Sequence, residues 1–309
     1  MRTSLIITVY NEEKTIALLL RSVLQQTESP GEVIVVDAWS KDKTIVQVEA
    51  FRSEFAKKRI QLTVIRKKGN RSVGRNVAIR NAKAEIILCT DAGCILEKNW
   101  VKNIVAPFQN SDVDVVAGYY KGKGTSAFQQ SLIPYVLIME DRVDEKLFLP
   151  SSRSMAISKR LWKKLGGFPE QYSHNEDYVF ARGIGRVNGK ILFQKRAIVY
   201  WLPRTDLVSA FIMFFRFALG DAEAKIFRPK VLLIFIRYLC GAILVYYLIK
   251  THRTGYIFII VLIYFLWAIG KSYKYVRRRA AILYLPVLQL ISDLAVILGT
   301  ILGVVKGVL

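Results

Sequence analysis

Short apolar runs alternate with segments of helical periodicity along the N-terminal two thirds of the chain. Apolar runs of roughly four to eight residues are typical of buried strands, whereas a period of about 3.6 residues is typical of amphipathic helices. The pattern predicts strands over Ser4–Val9, Val33–Val36, Leu62–Ile65, Glu85–Cys89 and Asp112–Ala117. Strands that alternate with helices indicate an α/β fold in which a largely parallel sheet is covered on both faces.

Polar residues follow three of the predicted strands. Tyr10 and Asn11 come after the first strand, Asp37 after the second and Asp91 after the fourth. The carboxyl ends of parallel strands meet at one edge of a sheet, and α/β proteins bind their ligands there. We therefore expect these four residues to form a ligand site. We also expect Asn11 to cap the next helix, with two glutamates in its favourable first turn.

An aromatic, amphipathic segment begins the C-terminal third. From Arg204 to Gly220 the pattern favours a helix that lies along a membrane surface, and a buried core helix is the alternative. Ser126–Met139 has a similar character, and both interpretations stay open for it. We expect an α/β domain over residues 1–203, an interfacial segment over 204–230 and a transmembrane domain over 231–309.

Three long apolar segments follow the interfacial segment: Val231–Ile249, Tyr256–Ile269 and about Ala281–Val305, the last broken by Pro286. A membrane-spanning helix needs about 20 apolar residues, so the middle one must be lengthened by flanking residues. A helical hairpin that enters and leaves the same face is the alternative for the first two segments.

The chain is strongly basic, with 46 Lys and Arg residues against 24 Asp and Glu and a formal net charge of +22. Such a charge implies anionic partners, either nucleotides or membrane lipids, or it serves mainly to orient a membrane protein. Nucleic-acid binding is disfavoured because no helix-turn-helix, zinc-finger or RNA-binding signature accompanies the charge. We expect no signal peptide, and free thiols at Cys89, Cys94 and Cys240.

Loop charge predicts the orientation of the spans. The connection between the first two spans holds Lys250 and Arg253, whereas the next connection holds a basic cluster. The cluster consists of Lys271, Lys274, Arg277, Arg278 and Arg279. By the positive-inside rule this second connection is cytoplasmic, and so is the α/β domain. We therefore expect a multi-pass protein of the cell membrane whose N-terminal domain faces the cytoplasm.

Several segments resemble, in the right order, the motifs of family 2 glycosyltransferases with the GT-A fold. They are Ile7–Glu13, Val35–Thr44, Gly74–Asn76, Ala84–Ile87, Asp91–Gly93, Gly166–Glu170 and Glu176–Asp177. The resemblance covers about residues 4–220. It implies a Rossmann-like GT-A domain with a mixed, mostly parallel sheet, and a nucleotide-sugar donor that carries GDP or UDP.

The resemblance also implies roles for individual residues. Tyr10, Asn11 and Asp37 would hold the base and ribose, and Arg75 and Asn76 would approach the donor. The expected nucleotide-sugar contacts are Val9, Tyr10, Asn11, Glu12, Asp37, Arg75, Asn76, Asp91, Ala92 and Arg216. Structural alternatives stay open: a strand end and helix cap at positions 10 and 11, a turn residue at 37, and a capped helix start at 75 and 76.

Asp91 would hold the donor diphosphate through Mg²⁺ or Mn²⁺, since these ions prefer oxygen ligands and bridge phosphate oxygens. The family pattern is Asp-x-Asp, and Gly93 replaces the second acid here. A single carboxylate makes a poorer cation site, so the metal is expected to bind more weakly, to recruit another ligand or to be partly replaced by basic side chains.

Asp177 would be the general base of an inverting sugar transfer, within hydrogen-bond reach of the attacking hydroxyl. Glu176 is grouped with it at the catalytic site, as a supporting residue or a contact to the donor sugar. The alternative is that both acids only stabilise the positive end of the following helix.

A short motif in the C-terminal part indicates how the substrate is handled. Met213–Phe217 resembles a degenerate Gln-x-x-Arg-Trp motif of cellulose-synthase-like members, in which only Arg216 is kept. Arg216 would neutralise the leaving diphosphate or contact lipid headgroups, and loss of the other two residues argues against processive synthesis.

Arg237 and Asp293 are isolated charges in the first and third spans, and they predict an interhelical ion pair. Alternatively, Arg237 meets the phosphate of a lipid-linked acceptor.

Together these features predict an inverting glycosyltransferase. It would move one sugar, with mannose from GDP-mannose as the first guess, to a hydroxyl of a lipid-linked glycan or glycolipid at the cytoplasmic membrane face. One alternative is a polyprenyl-phosphate sugar synthase, and another is an inactive membrane scaffold that binds nucleotide-sugars.

Overall fold

The computed structural model describes residues 1–110 and 112–308, which form two compact units. The first unit contains Met1–Gly122 and Met139–Leu202, and the second contains Lys123–Ile138 and Pro203–Leu309. The helix predicted within Ser126–Met139 therefore groups with the second unit and not with the sheet.

The strands of the first unit are β1 (Thr3–Val9), β2 (Glu32–Asp37), β3 (Gln61–Arg66), β4 (Ile86–Asp91), β5 (Cys94–Leu96), β6 (Val115–Gly122), β7 (Met155–Ser158) and β8 (Ile191–Trp201). The helices, in chain order, are α1 (Ile16–Leu24), α2 (Thr44–Ala50), α3 (Arg52–Lys57), α4 (Arg71–Asn81), α5 (Trp100–Val105), α6 (Pro107–Asn110), α7 (Ala127–Val136), α8 (Lys159–Lys164), α9 (Glu176–Arg186), α10 (Leu207–Glu223), α11 (Pro229–Lys250), α12 (Gly255–Val276) and α13 (Ala281–Val308). A 3₁₀ turn covers Glu140–Arg142.

The strands form one mixed sheet in the order β3-β2-β1-β4-β7-β6-β8-β5. β1 pairs in parallel with both β2 and β4, and β2 with β3, whereas β7 runs antiparallel to β4 and β6. This arrangement confirms the predicted GT-A class. The pattern did not predict β5, β7 or β8, because β5 and β7 have only three and four residues and the polar residues Gln194, Lys195 and Arg196 interrupt the apolar run of β8.

The central strands are buried on both faces. Every residue of β2 is buried, and β1 and β4 are nearly so, as expected for parallel strands covered by helices. Ile6, Ile34 and Ile87 belong to a core cluster that extends to Phe168 and Phe180. Burial of each such side chain stabilises the fold by roughly 1.5–3 kcal/mol. The sheet is thus a rigid base for the loops at its carboxyl edge.

In the second unit, α10 packs closely along α13 because glycines remove side chains from the contact. A Cβ atom at Gly303 would lie 2.6 Å from the Cβ of Ala222 and 2.9 Å from the carbonyl oxygen of Leu219. The same unit holds α7, where the Tyr135 hydroxyl donates to the carbonyl oxygen of Leu285 at 2.8 Å.

Three helices of the second unit are long and apolar enough to cross a membrane: α11, α12 and α13 up to Gly307. α12 has 22 residues and includes Gly255 and Gly270, so the predicted lengthening of the middle segment is confirmed. The predicted break at Pro286 is wrong, because α13 is continuous through it. Pro286 lies in the second turn, where a proline forgoes a single hydrogen bond to the helix start.

Candidate active site

The loops that follow β1 and β2 are joined by hydrogen bonds. Asn11 has a left-handed backbone (φ 54°), which asparagine tolerates better than most residues. Its N–H donates to Ser40 Oγ (2.9 Å), and its Oδ1 accepts from the N–H of Lys41 (2.8 Å). The prediction that Asn11 caps the first helix is therefore wrong. α1 begins only at Ile16, and Asn11 links the two loops instead.

Glu12 strengthens the same link. Its N–H donates to Thr44 Oγ1 at 2.7 Å, and its carboxylate accepts from Thr15 Oγ1 at 2.6 Å. The neighbouring candidates Val9 and Ala92 are buried. Donor contacts of these three residues stay predictions.

Asp37 carries an unused acceptor at this edge. The side chain is fully buried, and its Oδ1 accepts from the N–H of Ser40 at 3.0 Å. Its Oδ2 is buried without a hydrogen-bond partner, and the nearest cation, Arg66 Nε, lies 3.7 Å away. A buried carboxylate oxygen without a donor is costly. The geometry thus prepares Asp37 to accept a hydrogen bond from a ligand N–H or O–H group.

Two aromatic side chains stand exposed beside Asp37. Tyr10 and Trp39 each retain 55% of their accessible surface. Trp39 has φ 65°, a strained conformation for a bulky residue, and the Arg66 guanidinium lies 5.6 Å from its ring. Trp39 had no predicted role, although an exposed tryptophan directly after a strand-end aspartate was a usable signal.

Arg75 is the centre of a hydrogen-bond network, referred to below as the Arg75 network. Its Nη1 donates to Glu176 Oε1 at 2.6 Å, and its Nη2 donates to Ser152 Oγ at 2.7 Å and to Asp91 Oδ1 at 3.2 Å. Gly74 permits this placement, because a Cβ there would lie 2.8 Å from the Cγ2 of Thr8 in β1. The glycine lets α4 approach the sheet, so that the arginine reaches the site.

The side chain of Asn76 does not join the Arg75 network and instead bonds to the segment around Phe168. Its Nδ2 donates to the Phe168 carbonyl and to Glu170 Oε1, both at 2.8 Å, and its Oδ1 accepts from the Phe168 N–H and from Trp162 Nε1. These bonds use the two donors and two lone pairs of the amide. Asn76 therefore braces the loop after α8, and the expected direct contact with the donor has no free atom to make it.

The strand order brings Asp91 and Asp37 to the same edge of the sheet, on either side of β1. β1 pairs Thr8 with Asp91 on one side and Val9 with Asp37 on the other, so both acids reach the same edge. The Asp91 side chain remains 35% exposed. Its described hydrogen bonds all involve Oδ1, and none uses Oδ2.

Asp177 joins this site from the start of α9. Its Oδ2 accepts from Ser151 Oγ at 2.8 Å and from the N–H of Ser152 at 3.3 Å, and its Oδ1 accepts from the N–H of Tyr178 at 2.9 Å. Ser152 Oγ lies 3.4 Å from both Asp177 Oδ2 and Asp91 Oδ1. Two acids that are distant in sequence thus share one hydroxyl.

The turn Ser151–Ser154 that supplies these serines was not predicted to be functional. It is a polar run directly before β7, and it closes with a bridge between Ser151 and Ser154. Glu176 is buried and accepts from Arg75, which fits a supporting role better than proton transfer. Its predicted place at the catalytic site is untested.

Positive charge dominates the electrostatics around Asp91. Burial raises the pKa of the Asp91 carboxyl, but Arg75, Arg153 and Arg71 outweigh burial and hold the pKa below its ordinary value of 3.8. Burial lowers the pKa of Arg75, and the charges of Glu176 and Asp91 more than compensate, so this pKa is raised. Both groups are therefore ionised at neutral pH.

The site near Asp91 offers a divalent cation one carboxylate ligand. Within residues 1–110 and 112–308, no group of three or more His, Cys, Asp and Glu side chains could hold a metal ion. No atom lies within 4 Å of a Cβ built on Gly93, so the space for a second carboxylate is open. Asp91 would hold such a cation through one carboxylate, and the ion would neutralise charge on the donor phosphates.

Arg216 lies in α10 of the second unit, and its side chain is exposed. Its predicted contact with the donor diphosphate remains untested.

Curated relatives are glycosyltransferases. The chain is 30% identical over 186 residues to the poly(ribitol-phosphate) beta-N-acetylglucosaminyltransferase TarS of Staphylococcus aureus, covering 58% of this chain. It is 28% identical over 212 residues to the O-antigen chain rhamnosyltransferase RfbN of Salmonella typhimurium, covering 64% of this chain and 66% of RfbN. The aligned part spans about a third (32%) of TarS.

Solved structures share the fold of about two thirds of the chain. TarS 1–349 in complex with UDP-GlcNAc has a TM-score of 0.53 at 23% identity, covering 70% of this chain and 66% of that one. GalNAc-T7 with UDP, GalNAc and Mn²⁺ also has a TM-score of 0.53, at 15% identity, covering 67% and 44%. At these identities the likeness establishes the fold alone.

The sequence profile described as "Glycosyl transferase family 2" matches residues 4–166, which is more than half of the chain. That stretch includes β1, β2, β4 and α4, whose residues meet at the edge described above. The chain therefore belongs to glycosyl transferase family 2.

Proposed function

We propose that this protein is an inverting glycosyltransferase that moves one sugar from a nucleotide-sugar to a hydroxyl of a lipid-linked glycan or glycolipid. The observation that carries the proposal is the Arg75 network, in which Asp91 and Asp177 share Ser152. It puts a carboxylate suited to the donor next to a carboxylate suited to an acceptor hydroxyl.

Asp177 is the general base in this proposal. Hydrogen bonds from Ser151 and Tyr178 hold its carboxylate at the start of α9. As the acceptor oxygen attacks the anomeric carbon from the face opposite the diphosphate, its proton passes to Asp177. The bond between the anomeric carbon and the phosphate oxygen breaks, and its electron pair leaves with the nucleoside diphosphate.

The nucleotide binds, in this proposal, at the edge that carries Asp37. The buried Oδ2 of Asp37 accepts a hydrogen bond from an N–H of the base, while Tyr10 and Trp39 offer aromatic faces to it. Solved TarS structures contain UDP and UDP-GlcNAc, so we propose a UDP-sugar as the first donor to test. The guess of GDP-mannose draws no support from these relatives and remains an untested prediction.

A bound divalent cation would neutralise charge on the donor diphosphate, and Asp91 is the residue that would hold it. Arg75 keeps Asp91 ionised and oriented, and Glu176 fixes Arg75 in turn. Arg75 and Glu176 are buried, while Asp91 stays partly exposed toward a ligand.

We further propose that the protein works at a membrane. α11, α12 and α13 would anchor it, with residues 1–203 as the catalytic domain and 204–230 as an interfacial segment. Loop charge supports a cytoplasmic catalytic domain, where nucleotide-sugars are available. A membrane anchor favours an acceptor carried by a lipid, and TarS and RfbN, by name, act on glycan polymers.

A donor-panel assay tests the proposal. Membranes that contain the full chain are incubated with radiolabelled UDP-GlcNAc, UDP-glucose, UDP-galactose and GDP-mannose, and label is counted in the lipid extract. We expect one donor to label lipid, and Asp177→Asn to lower kcat at least about 100-fold. Glu85→Gln, which changes an exposed carboxylate of the same unit, should leave kcat unchanged.

Two outcomes would contradict the proposal in different ways. Turnover that survives Asp177→Asn would favour a polyprenyl-phosphate sugar synthase, because a phosphate acceptor is already ionised and needs no base. Absence of label with every donor, while UDP still binds, would favour a scaffold without catalytic activity.

A further inference from the structure

We propose that Arg153 binds the leaving diphosphate and neutralises part of its negative charge. In a site with two carboxylates, a firmly held metal ion would provide that neutralisation; here Gly93 replaces the second carboxylate. The inference rests on the proposed function and adds to it a residue outside the segments that carry the resemblance to the family.

Arg153 is held at the donor side of the site by its backbone. It follows Ser151 and Ser152 in the turn that bonds Asp177 and Asp91, and its carbonyl oxygen accepts from Thr90 Oγ1 at 3.1 Å. Thr90 is the residue directly before Asp91 in β4. Arg153 is therefore tied to the same strand end as the acid that faces the donor phosphates.

Two aromatic rings position the guanidinium of Arg153. Its carbon lies 5.1 Å from the ring centroid of Tyr120 and 5.7 Å from that of Trp201. Aromatic faces attract a guanidinium and restrict its rotamers, so the group is oriented before a ligand arrives. An arginine held in this way loses little entropy when it forms bonds to phosphate.

The guanidinium has unfilled bonding capacity. Arg153 Nε is buried without a hydrogen-bond partner, and across residues 1–110 and 112–308 no ion pair joins Arg153 to a carboxylate. A partly buried cation without a direct counterion is costly. A diphosphate beside Asp91 would supply that counterion and accept hydrogen bonds in the geometry that arginine favours.

The replacement of an acid by Gly93 makes this contact necessary. With a single carboxylate at Asp91 and open space at Gly93, a cation at this site would be held by few protein atoms. When the bond between the anomeric carbon and the phosphate oxygen breaks, negative charge accumulates on the diphosphate. Fixed N–H donors aimed at that charge stabilise the transition state without any rearrangement.

The test compares UDP with uridine, because only UDP carries the diphosphate. Affinities are measured by calorimetry on the purified full chain in detergent, with Mn²⁺ and with EDTA. We expect Arg153→Met to weaken UDP binding about 10- to 100-fold, the usual loss for a charged hydrogen bond, and to change uridine binding less than about twofold. Arg196→Met, an exposed arginine of the same unit, should change neither.

Two further variants guard against a folding defect. Arg153→Lys keeps the charge but loses the planar fork, so its UDP affinity should fall between wild type and Arg153→Met. Gly93→Asp has room for its side chain and should make UDP binding more dependent on Mn²⁺. On going from Mn²⁺ to EDTA, the UDP affinity of the wild type should drop less than about threefold. The UDP affinity of Arg153→Met should drop by a larger factor.

Equal UDP affinities of Arg153→Met and wild type would overturn the inference. A parallel loss of UDP and uridine binding would also overturn it, because it would indicate that Arg153 has a structural role. Loss of wild-type UDP binding in EDTA would overturn it as well. If wild type bound neither UDP nor GDP under any condition, the proposed function itself would fail.

Discussion

Each unit contains a network of charged side chains, and the two are built in opposite ways. In the Arg75 network, one buried cation is divided between two carboxylates, Glu176 and Asp91. In the second unit, one buried anion, Asp293, is surrounded by donors. They are Arg237, Tyr238, Tyr264 and Gln289. The interhelical pair of Arg237 with Asp293, predicted from the sequence, is confirmed.

The difference indicates which network can do chemistry. The donors around Asp293 use its accepting capacity, and the Arg237 guanidinium lies 5.0–5.7 Å from the centroids of three aromatic rings. The carboxylate at its centre is fully bonded and joins the helices, although Arg237 Nε is also buried without a hydrogen-bond partner. The first unit instead leaves two carboxylate oxygens, Asp91 Oδ2 and Asp37 Oδ2, without partners among its described atoms, and Arg153 Nε shares this state with Arg237 Nε. Unfilled polar atoms in a rigid setting are expected where a ligand completes the bonding.

The largest contrast should come from removing the cation of each network. Arg75→Met leaves Glu176 buried without its counterion, and we expect the free energy of unfolding to fall by about 3–5 kcal/mol. Arg237→Met should cost less, because Asp293 keeps its neutral donors. Thermal unfolding of both variants in the same detergent measures the difference. Equal losses would show that the two networks are energetically alike.

A smaller contrast comes from removing one hydroxyl from each network. Ser152→Ala deletes the group shared by Asp91 and Asp177, so we expect kcat to fall about tenfold while the melting temperature changes little. Tyr264→Phe deletes one donor to Asp293 and should leave kcat unchanged, with a stability loss of about 0.6 kcal/mol. A drop in kcat for Tyr264→Phe would mean that the second network also serves catalysis.

The smallest contrast concerns backbone strain. Trp39 in the first unit and Arg277 at the end of α12 both have left-handed backbones, with φ of 65° and 50°. Replacement by glycine relieves strain of about 1 kcal/mol, so neither Trp39→Gly nor Arg277→Gly should lower the melting temperature. Only Trp39→Gly should weaken UDP binding, by about 2- to 10-fold through lost stacking. Unchanged UDP affinity in Trp39→Gly would exclude contact between this ring and the base.

Some of the site could be predicted because it follows from strand pattern alone. Asp37 and Asp91 end apolar runs, and neighbouring parallel strands bring their carboxyl ends together whatever the detailed packing. Arg75 and Asp177 came from resemblance to a family, since nothing in their local periodicity distinguishes them from surface charges. The ion pair of Arg237 and Asp293 was predictable because charges in apolar helices need partners.

Other features depended on contacts that no local pattern encodes. Asn11 has the composition of a helix cap, but Ser40 and Lys41 of a neighbouring loop hold it in a left-handed conformation. Asn76 belongs to a donor motif, yet Phe168 and Trp162 occupy its amide. In both cases hydrogen bonds to residues far away in the chain outweighed the local preference.

The amino-acid sequence by itself determined the class of fold, the apolar helices and the acids at the strand ends, because these follow from periodicity and composition within single segments. Only the tertiary structure decided that Ser151, Ser152 and Arg153 enter the site, that Glu176 supports Arg75, and that Asp91 and Asp177 share a hydroxyl. The reason is that hydrogen bonds and charges act over a few ångströms in space, and folding alone sets those distances between residues up to 101 positions apart.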